Sequence, residues 1–456
     1  MTHSMKRTLQ DAAQAVGGRL VGEDRPYGAV ATDSRTLNPG SLFVALRGPN
    51  FDGAQFASAA AARGAIGVLV ERQVDAPLTQ VVVGDALHAL QALATAWRAQ
   101  FGLAMVAVAG SNGKTTTKEM TAAILARMGA VLATRGNLNN HIGVPVTLMR
   151  LEDSHRSAVI EMGANRVGDV AELMRIAQPT IGLITNAGAE HLEGFGDLDG
   201  VARGEGEAVS SLRADGTAVI NADDAYAGYW RGVTTAGRVV TFGVNSQADF
   251  TAENPQQAVE RGEFATRFTL ASPLGRAPIL LKAGGAHNIV NALAAAAAAA
   301  AAGASLAEIV AGLSDFRAVA GRLQLKAGLH GSWIIDDSYN ANPSSVRAGL
   351  EVLRGLTGVK WLVLGDMAEL GESSHDSHAH LGQNARDCGV TRLFAHGPLS
   401  SRAVETFGAG GEWFADTDSL TRRLQAEIAP GVTVLIKGSR INRLERVVQA
   451  LTLGAS

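Results

Sequence analysis

The chain has little cysteine and almost no net charge. Its single cysteine, Cys388, excludes an intrachain disulfide framework and suits a reducing compartment such as the cytoplasm. The formal net charge is −3, with 40 Lys and Arg against 43 Asp and Glu, so no electrostatic footprint for nucleic acid or for an anionic membrane is present. We therefore expect a cytoplasmic protein that binds neither nucleic acid nor a membrane surface.

Long apolar runs are also absent. No stretch reaches the roughly 18 residues of a membrane span. The longest candidate, 292–302, is nearly all alanine and predicts a tightly packed helix. Residues 1–11 lack the apolar segment of a secretory signal. The length of 456 residues instead predicts about three domains.

Short strands alternate with helices along most of the chain, which predicts an α/β fold with mainly parallel sheets. We expect a small α/β domain over 1–84, a central domain over 85–315 and a second, smaller doubly wound domain over 316–456. Residues 217–285 predict an antiparallel flank on the central sheet. Helices are expected over 54–63, 85–100, 167–176 and 288–302, and strands over 42–46, 67–70, 105–109, 158–160 and 181–184.

The run from Met105 to Thr117 carries the strongest functional signal. A strand, a glycine-bearing turn and a helix start direct several backbone N–H groups at one point, and such a point attracts phosphate. Lys114 is predicted to reach the β/γ-phosphates and the Thr115 hydroxyl to hold Mg²⁺. The whole predicted nucleotide-binding loop is Gly110, Ser111, Asn112, Gly113, Lys114, Thr115 and Thr116.

The spacing of this loop is a shorter variant of the usual P-loop. Val108 stands where the usual pattern has its first glycine, which leaves Gly-x-x-Gly-Lys-Thr-Thr. The alternative is a glycine-rich turn that precedes Lys-Thr by chance. A strand before the loop and a helix after it favour nucleotide binding.

Polar residues directly follow other predicted strands, where ligand groups project from an α/β sheet. Glu161 is placed to hold Mg²⁺, with a surface carboxylate as the alternative. His191 fits a metal ligand or a structural histidine, and its neighbours Glu190 and Glu193 are expected to face solvent. The amide-rich segment 137–145 fits a sugar or peptide site, or a capped loop.

The order of these motifs resembles the Mur ligase family. The resemblance rests on 110–116, 137–143, 161–165, 191–196, 287–293 and 321–323. Three further motifs, 336–343, 364–371 and 437–440, are similar to the branch that adds D-alanyl-D-alanine. It implies a UDP-sugar-binding domain, a central ATPase and a Rossmann-like domain. It also implies ATP-dependent joining of the dipeptide to UDP-N-acetylmuramoyl-tripeptide through an acyl phosphate, in a cytoplasmic monomer using ATP and Mg²⁺.

The resemblance implies roles for single residues. Lys114 and Arg322 would meet the γ-phosphate, and Asn288 the adenine. Asp337, or else Asp336, would bind the ribose or orient Arg322. Magnesium would be held by Thr115, Glu161, His191 and Glu205. Ser34 and Arg35 would bind the uridine diphosphate, and Asn139 and Asn140 the muramoyl-peptide. The dipeptide site would be shaped by Tyr339, Asn340 and Asn342.

Glu205 departs from the family pattern. The family usually has a lysine fourteen residues after the histidine, carbamylated by CO₂ to become an anionic ligand. Glutamate keeps the negative charge without CO₂, because its ordinary pKa of about 4.3 leaves it ionised at pH 7. It is shorter, so we expect it to act through water or after a local shift. The alternative is a residue on a helix surface.

Three alternatives to this function stay open on the sequence. A sibling ligase and a folylpolyglutamate synthase share the P-loop variant and the Glu161–His191 pair. The third is a P-loop regulatory protein that binds nucleotide without chemistry. The sequence does not decide whether the tripeptide ends in meso-diaminopimelate or lysine.

Overall fold

A computed structural model describes residues 7–453. Of residues 1–11, where a secretory signal was not expected, residues 1–6 therefore lie outside the described part. It is of mixed α/β class with parallel sheets, as predicted. The helices are α1 (Leu9–Ala15), α2 (Ala57–Ala62), α3 (Ala86–Arg98), α4 (Lys114–Leu125), α5 (Gly143–Leu148), α6 (Asp169–Ala177), α7 (Leu192–Phe195), α8 (Leu198–Ser210), α9 (Ala227–Val233), α10 (Ala286–Ala301), α11 (Leu306–Asp315), α12 (Pro343–Arg354), α13 (Ser374–Asp387), α14 (Ser401–Phe407), α15 (Thr417–Glu427) and α16 (Glu445–Leu451).

The strands are β1 (Arg19–Val21), β2 (Ala29–Ala31), β3 (Ser41–Val44), β4 (Arg47–Gly48), β5 (Phe51–Asp52), β6 (Gly67–Val70), β7 (Thr79–Val82), β8 (Ala104–Ala109), β9 (Ala130–Ala133), β10 (His155–Glu161), β11 (Ile181–Ile184), β12 (Thr217–Asn221), β13 (Arg238–Phe242), β14 (Thr251–Glu260), β15 (Glu263–Ser272), β16 (Gly275–Leu281), β17 (Gln324–Ala327), β18 (Trp333–Asp337), β19 (Val359–Gly365), β20 (Arg392–His396), β21 (Gly411–Phe414) and β22 (Val432–Lys437).

The chain divides into two compact units. The first holds the described residues of Met1–Ala107, Gly129–Gly163 and Asp169–Thr180. The second holds Val108–Met128, Ala164–Gly168 and the described residues of Ile181–Ser456. The expected division at 84 and 315 stays a prediction.

The first unit contains a five-stranded sheet in the order β1-β7-β6-β3-β2. Its strands are parallel except β1, which is antiparallel to β7. One face packs against α2, where Phe43, Val68 and Val70 meet Ala57 and Ala60. The same unit contains the parallel pair β9–β10. The connection from β3 to β6 contains α2, whereas β2 and β3, and likewise β6 and β7, are joined without a helix.

Residues 217–285, in the second unit, do not form the single antiparallel flank predicted from the sequence. Strands β11, β12 and β13 pair in parallel. Only β14, β15 and β16 are antiparallel, and they form a three-stranded sheet of their own. The prediction was wrong for β12 and β13 because short apolar strands read alike in either orientation.

The last sheet has the order β17-β18-β22-β19-β20-β21 and is parallel except at the edge strand β17. Neighbouring side chains of β22 enter different cores. Leu435 packs with Leu350 on one side of the sheet, whereas Val434 and Ile436 pack on the other with Val447. Successive side chains of a strand point to opposite faces, so helices cover both faces, as expected of a doubly wound sheet.

The alanine-rich run 292–302 forms the C-terminal part of α10 and its C-cap, Ala302. Residues 292–299 are at most 1% exposed, so their small side chains let the helix approach its neighbours closely. In the part of the chain that the structure describes, no helix is both long and apolar enough to cross a membrane.

Candidate nucleotide and ligation site

The predicted phosphate-binding loop joins β8 to α4. Gly110 and Gly113 have φ angles of 118° and 85°, which L-residues with a side chain rarely adopt. A Cβ on Gly110 would lie 2.1 Å from Thr185 Oγ1, and one on Gly113 would lie 2.3 Å from Asn291 Oδ1. Both positions therefore require glycine. Thr116 lies in the first turn of α4, whose backbone N–H groups attract phosphate.

A second loop, which follows β11, holds this one in place. The Ser111 N–H donates to the Asn186 carbonyl over 2.9 Å. The side chain of Asn186 accepts from the Asn112 N–H and donates to the Asn112 carbonyl. Asn186 was not among the predicted site residues, although it lies in a polar run that directly follows a predicted strand. The position of Asn186 in this run, directly after a predicted strand, is the sequence feature that could have identified it.

Lys114 lies across the loop. Its Nζ donates to the carbonyls of Gly110 and Ser111 over 2.5 and 3.2 Å. It also lies 3.3 Å from Glu190 Oε1. Glu190 is 9% exposed, so the expectation that it faces solvent was wrong. Burial raises the pKa of Glu190, and the Lys114 ammonium acts against that rise.

Glu205, on α8, is fully buried and not a surface residue. Its Oε2 accepts from the Gly110 N–H over 2.6 Å, while its Oε1 has no hydrogen-bond partner among the described residues. Burial raises the pKa of Glu205 to about 7, with Lys114 opposing the rise. The expectation of an ordinary pKa was wrong, because the sequence pattern did not reveal how deeply this carboxyl is buried.

Arg322 reaches the start of α4. Its Nη2 donates to Thr115 Oγ1 over 2.9 Å, and its guanidinium lies 4.5 Å from the centre of the Tyr339 ring. Stacking on an aromatic ring orients the guanidinium. The structure therefore brings together Arg322, Thr115 and Tyr339, which the sequence analysis had assigned to three different roles.

Asp337 braces the segment that carries Arg322. Its Oδ1 accepts from the Leu323 N–H over 3.2 Å, and its Oδ2 lies 2.6 Å from Lys437 Nζ. Burial raises the pKa of Asp337, and the charge of Lys437 opposes this. Asp336 instead binds Lys326 and Ser338. Of the two expected roles of Asp337, this geometry favours orienting Arg322.

Asn342 begins helix α12. Its Oδ1 accepts from the Ser345 N–H over 2.8 Å, and its Nδ2 donates to Asn112 Oδ1 over 2.8 Å. Asn112 in turn donates to Ser344 Oγ. Asn342 thus connects a helix cap to the phosphate-binding loop. The carbonyl of Asn340 accepts from Lys437 Nζ. The contacts of Asn342 and Asn340 therefore explain local structure and do not by themselves indicate a dipeptide site.

Asn288 lies in the first turn of α10 and is 5% exposed. Its Nδ2 donates to the Gly284 carbonyl, and its Oδ1 accepts from Asn291 Nδ2. Asn291 also meets Thr117 Oγ1 on α4. Asn288 therefore takes part in an amide chain that leads to the P-loop helix.

The first unit pairs Glu161 with Asn139. Asn139 Nδ2 donates to Glu161 Oε1 over 2.9 Å, and the Glu161 N–H donates to Thr134 Oγ1. The Oδ1 atom of Asn140 accepts from the N–H groups of Ile142 and Gly143. Asn140 therefore initiates the turn before α5, which is the capped-loop arrangement weighed from the sequence.

The assigned uridine-diphosphate residues form a tight turn in the first unit. Arg35 pairs with Asp33 over 2.8 Å, and this guanidinium lowers the pKa of Asp33 to about 2. Ser34 is 9% exposed, whereas Arg35 is exposed. The Asp33–Arg35 pair holds the guanidinium at the surface of the loop.

Metal ligation was expected from Thr115, Glu161, His191 and Glu205. Within residues 7–453, no three His, Cys, Asp or Glu side chains form a group that holds a metal by themselves. His191 has a φ of 49° at the start of α7, and its Nδ1 lies 2.5 Å from Glu369 Oε2. Glu369 was not among the predicted site residues, although it lies in the motif 364–371.

The loop between β8 and α4, with Lys114 across it and Arg322 at Thr115, has the features of a P-loop nucleotide-binding site. Comparison with known proteins identifies the family. The Mur ligase middle domain matches residues 108–299, the Mur ligase glutamate ligase domain matches 321–440, and the Mur ligase family catalytic domain matches 26–99. The chain belongs to the Mur ligase family.

Individual relatives cover nearly the whole chain. The UDP-N-acetylmuramoyl-tripeptide–D-alanyl-D-alanine ligase of Escherichia coli K12 is 44% identical over 97% of this chain and 98% of its own length. A crystal structure of MurF from Acinetobacter baumannii is 34% identical, with a TM-score of 0.89 over 96% of this chain and 97% of that one. MurF from Thermotoga maritima, solved in complex with ADP, is 26% identical with a TM-score of 0.83 over 92% and 96%.

Proposed function

We propose that this chain ligates D-alanyl-D-alanine to UDP-N-acetylmuramoyl-tripeptide, using ATP and forming ADP and phosphate. The observation that carries the proposal is the 44% identity with the E. coli ligase of that name, which extends over 97% of the chain. A relative that matches at this identity and coverage does not favour the three alternatives, which are a sibling ligase, a folylpolyglutamate synthase and a P-loop regulator. The reaction belongs to cytoplasmic peptidoglycan precursor synthesis, and we propose a monomer.

The chemistry follows from the poor leaving group of a carboxylate. An oxygen of the tripeptide carboxylate attacks the γ-phosphorus of ATP, the bond to the β-phosphate oxygen breaks, and ADP leaves. The acyl phosphate then receives the dipeptide amine at its carbonyl carbon. The tetrahedral intermediate loses phosphate and a proton, which leaves the amide.

Two cationic side chains offset the repulsion between the carboxylate and the triphosphate. The P-loop amides and the start of α4 hold the phosphates. Lys114 supplies charge from one side, where its Nζ already lies over the loop carbonyls. Arg322 supplies charge beside Thr115, and Tyr339 and Asp337 orient it.

The residues present fit a bound Mg²⁺. It prefers oxygen ligands and keeps several waters or phosphate oxygens rather than a complete protein cage. Glu205 Oε1 is a buried carboxyl oxygen without a hydrogen-bond partner in the described part of the chain, which suits a cation or a water that a cation holds. Thr115 would supply a further oxygen and His191 a nitrogen, and Glu161 is assigned as a further ligand on the family resemblance alone. When bound, Mg²⁺ neutralises charge on the transferring phosphoryl group.

We assign the rest of the substrate to three segments. Residues 1–84 take the UDP-sugar, with Ser34 and Arg35 at the diphosphate. Residues 85–315 carry the ATPase, with Asn139 and Asn140 at the muramoyl-peptide and Asn288 near the adenine. Residues 316–456 bring the dipeptide past Tyr339, Asn340 and Asn342.

Phosphate release tests the proposal. We expect sustained release only when ATP, UDP-tripeptide and D-alanyl-D-alanine are all present, with the amide product identified by mass spectrometry. Release with L-glutamate or a single amino acid in place of the dipeptide would indicate a sibling or a folylpolyglutamate synthase. Nucleotide binding with no product under any combination would indicate a regulator. Assays of the meso-diaminopimelate and lysine tripeptides side by side identify the third residue.

A further inference from the structure

Glu369 and His191 form an ion-pair contact that the motifs gave no reason to expect. Glu369 Oε2 lies 2.5 Å from His191 Nδ1, and the two side chains are 58% and 28% exposed. An ionised carboxylate can only accept a hydrogen bond. A proton on Nδ1 satisfies this contact, and in the neutral tautomer that carries it Nε2 is the nitrogen that can accept or ligate.

This arrangement is the one that orients ligating histidines in proteins generally. A carboxylate on one ring nitrogen fixes the tautomer and the ring direction, and it makes the other nitrogen a better ligand. His191 lies directly after Glu190, the partner of Lys114. His191 is therefore the next residue after one that contacts the cation of the phosphate-binding loop.

The segment that carries Glu369 is braced on several sides. The Met367 N–H donates to the buried His378 Nε2 over 2.9 Å, and the Ala368 N–H donates to Ser439 Oγ over 2.9 Å. Asp366 is tied to Asn442 through its backbone N–H and its carbonyl. These bonds end directly before Glu369 and set the position of its backbone.

Glu369 also has an unusual backbone conformation. Its φ angle is 64°, in the left-handed region that non-glycine residues rarely occupy. His191, with a φ of 49°, lies in the same region. Backbone strain of this kind persists where the surrounding structure imposes it, often at functional sites. Here it is found at both ends of one contact.

We propose that Glu369 is a positioning residue that holds the His191 imidazole with Nε2 directed to the ligation site. The inference rests on the proposed function. The segment 364–371 served above only as a motif that identifies the family branch. On this proposal, the same segment also orients His191. Glu369 acts through His191 and needs no contact with substrate.

The test compares Glu369→Gln with Glu369→Asp and with Glu405→Gln, which removes an exposed carboxylate paired with Arg402. We expect Glu369→Gln to lower kcat by about 10- to 100-fold, with the KM for the dipeptide changed less than about twofold. Glu369→Asp should recover part of the loss, because it keeps a carboxylate. Glu405→Gln should match the wild type.

A second readout is independent of turnover. Long-range ¹H–¹⁵N spectra of the histidine rings, with His191 assigned from a His191→Gln variant, should show His191 protonated at Nδ1 in the wild type. Glu369→Gln should shift that signal towards a mixture of tautomers. The wild-type spectrum alone decides the point if the variant fails to fold.

Two outcomes would overturn the inference. One is a wild-type His191 protonated at Nε2, and the other is a Glu369→Gln variant with kcat within about twofold of the wild type. A wild type that does not ligate the dipeptide would instead overturn the proposed function. The two failures are therefore distinguishable.

Discussion

The backbone N–H of Gly110 donates to Glu205 Oε2 over 2.6 Å, although 95 positions separate the two residues. The carbonyl of the same glycine accepts from Lys114 Nζ. One residue of the phosphate-binding loop is therefore held by a buried acid on one side and by the loop cation on the other. The position of Lys114 depends on this pair of contacts.

Lys114→Ala should abolish ligation without unfolding the protein. Lys114 places its ammonium over the loop carbonyls, and loss of one such charge contact costs about 3 kcal/mol or more of transition-state stabilisation. We expect kcat to fall by at least about 100-fold, with an unchanged circular dichroism spectrum. Turnover near that of the wild type would remove Lys114 from the mechanism.

Gly113→Ala should weaken nucleotide binding severely. The new Cβ would lie 2.3 Å from Asn291 Oδ1, and the φ of 85° disfavours alanine. The matched control is Gly228→Ala in α9, where a Cβ meets nothing within 4 Å and alanine favours the helix by up to about 1 kcal/mol. Calorimetric titration with ADP distinguishes them. Equal affinity in both variants would contradict the steric argument.

Asn342 offers a separation of two roles. Asn342→Ala loses the helix cap, at about 1 kcal/mol, and also the bond to Asn112. Asn342→Asp keeps an oxygen that caps α12 but has no N–H to donate to Asn112 Oδ1. We expect only the alanine variant to lower the unfolding midpoint clearly, and both variants to lower kcat.

A double-mutant cycle with Asn112→Ala completes that test. Residues in one hydrogen-bond network show non-additive effects, so the coupling between Asn112 and Asn342 should exceed about 0.5 kcal/mol in kcat/KM. Additive effects would show that the contact between them has no part in catalysis.

Local motifs made much of this structure predictable. The strand β8, the two glycines and α4 lie within one short stretch of the chain. Local backbone geometry alone explains why such a stretch binds phosphate. The contacts of Arg322 with Thr115 and of Asn342 with Asn112 join residues 207 and 230 positions apart. No spacing rule gives such pairs, because they depend on how separate sheets are placed.

Burial was the other property that sequence could not give. Glu190 was expected to face solvent and Glu205 to have an ordinary pKa, yet they are 9% and 0% exposed. The antiparallel prediction for β12 and β13 failed for a related reason, since the pairing direction of a short apolar strand depends on its neighbours.

Histidine 287 should make stability depend on pH. Desolvation of the partly buried imidazole, together with the charge of Lys437, lowers the pKa of His287 to about 4, whereas its pKa in the unfolded chain is about 6.5. As pH falls through that window the unfolded state takes up a proton that the folded state does not. The contribution to the free energy of unfolding is therefore present above about pH 6.5 and is lost towards pH 4.

Denaturant unfolding without nucleotide, at pH 7.5 and at pH 5, measures this effect. The decrease on acidification should be smaller in His287→Gln than in the wild type, whereas His375→Gln, at an exposed site, should follow the wild type. An equal decrease in all three proteins would remove His287 as its source.

Ligation by this chain should not depend on CO₂. The position that a carbamylated lysine usually takes in this family is Glu205, and a carboxyl needs no bicarbonate to become anionic. Burial raises the pKa of Glu205 to about 7, and a nearby Mg²⁺ favours the ionised form. Turnover of the degassed wild type should therefore equal turnover with bicarbonate added.

Two variants at this position make the test specific. Glu205→Gln keeps an oxygen for the Gly110 N–H but loses the charge, so we expect a higher Mg²⁺ requirement with an intact fold. Glu205→Lys should be inactive when degassed and regain some activity with bicarbonate. A wild type that needs bicarbonate would show that a lysine elsewhere carries the carbamate. Glu205 would then act through the Gly110 N–H alone.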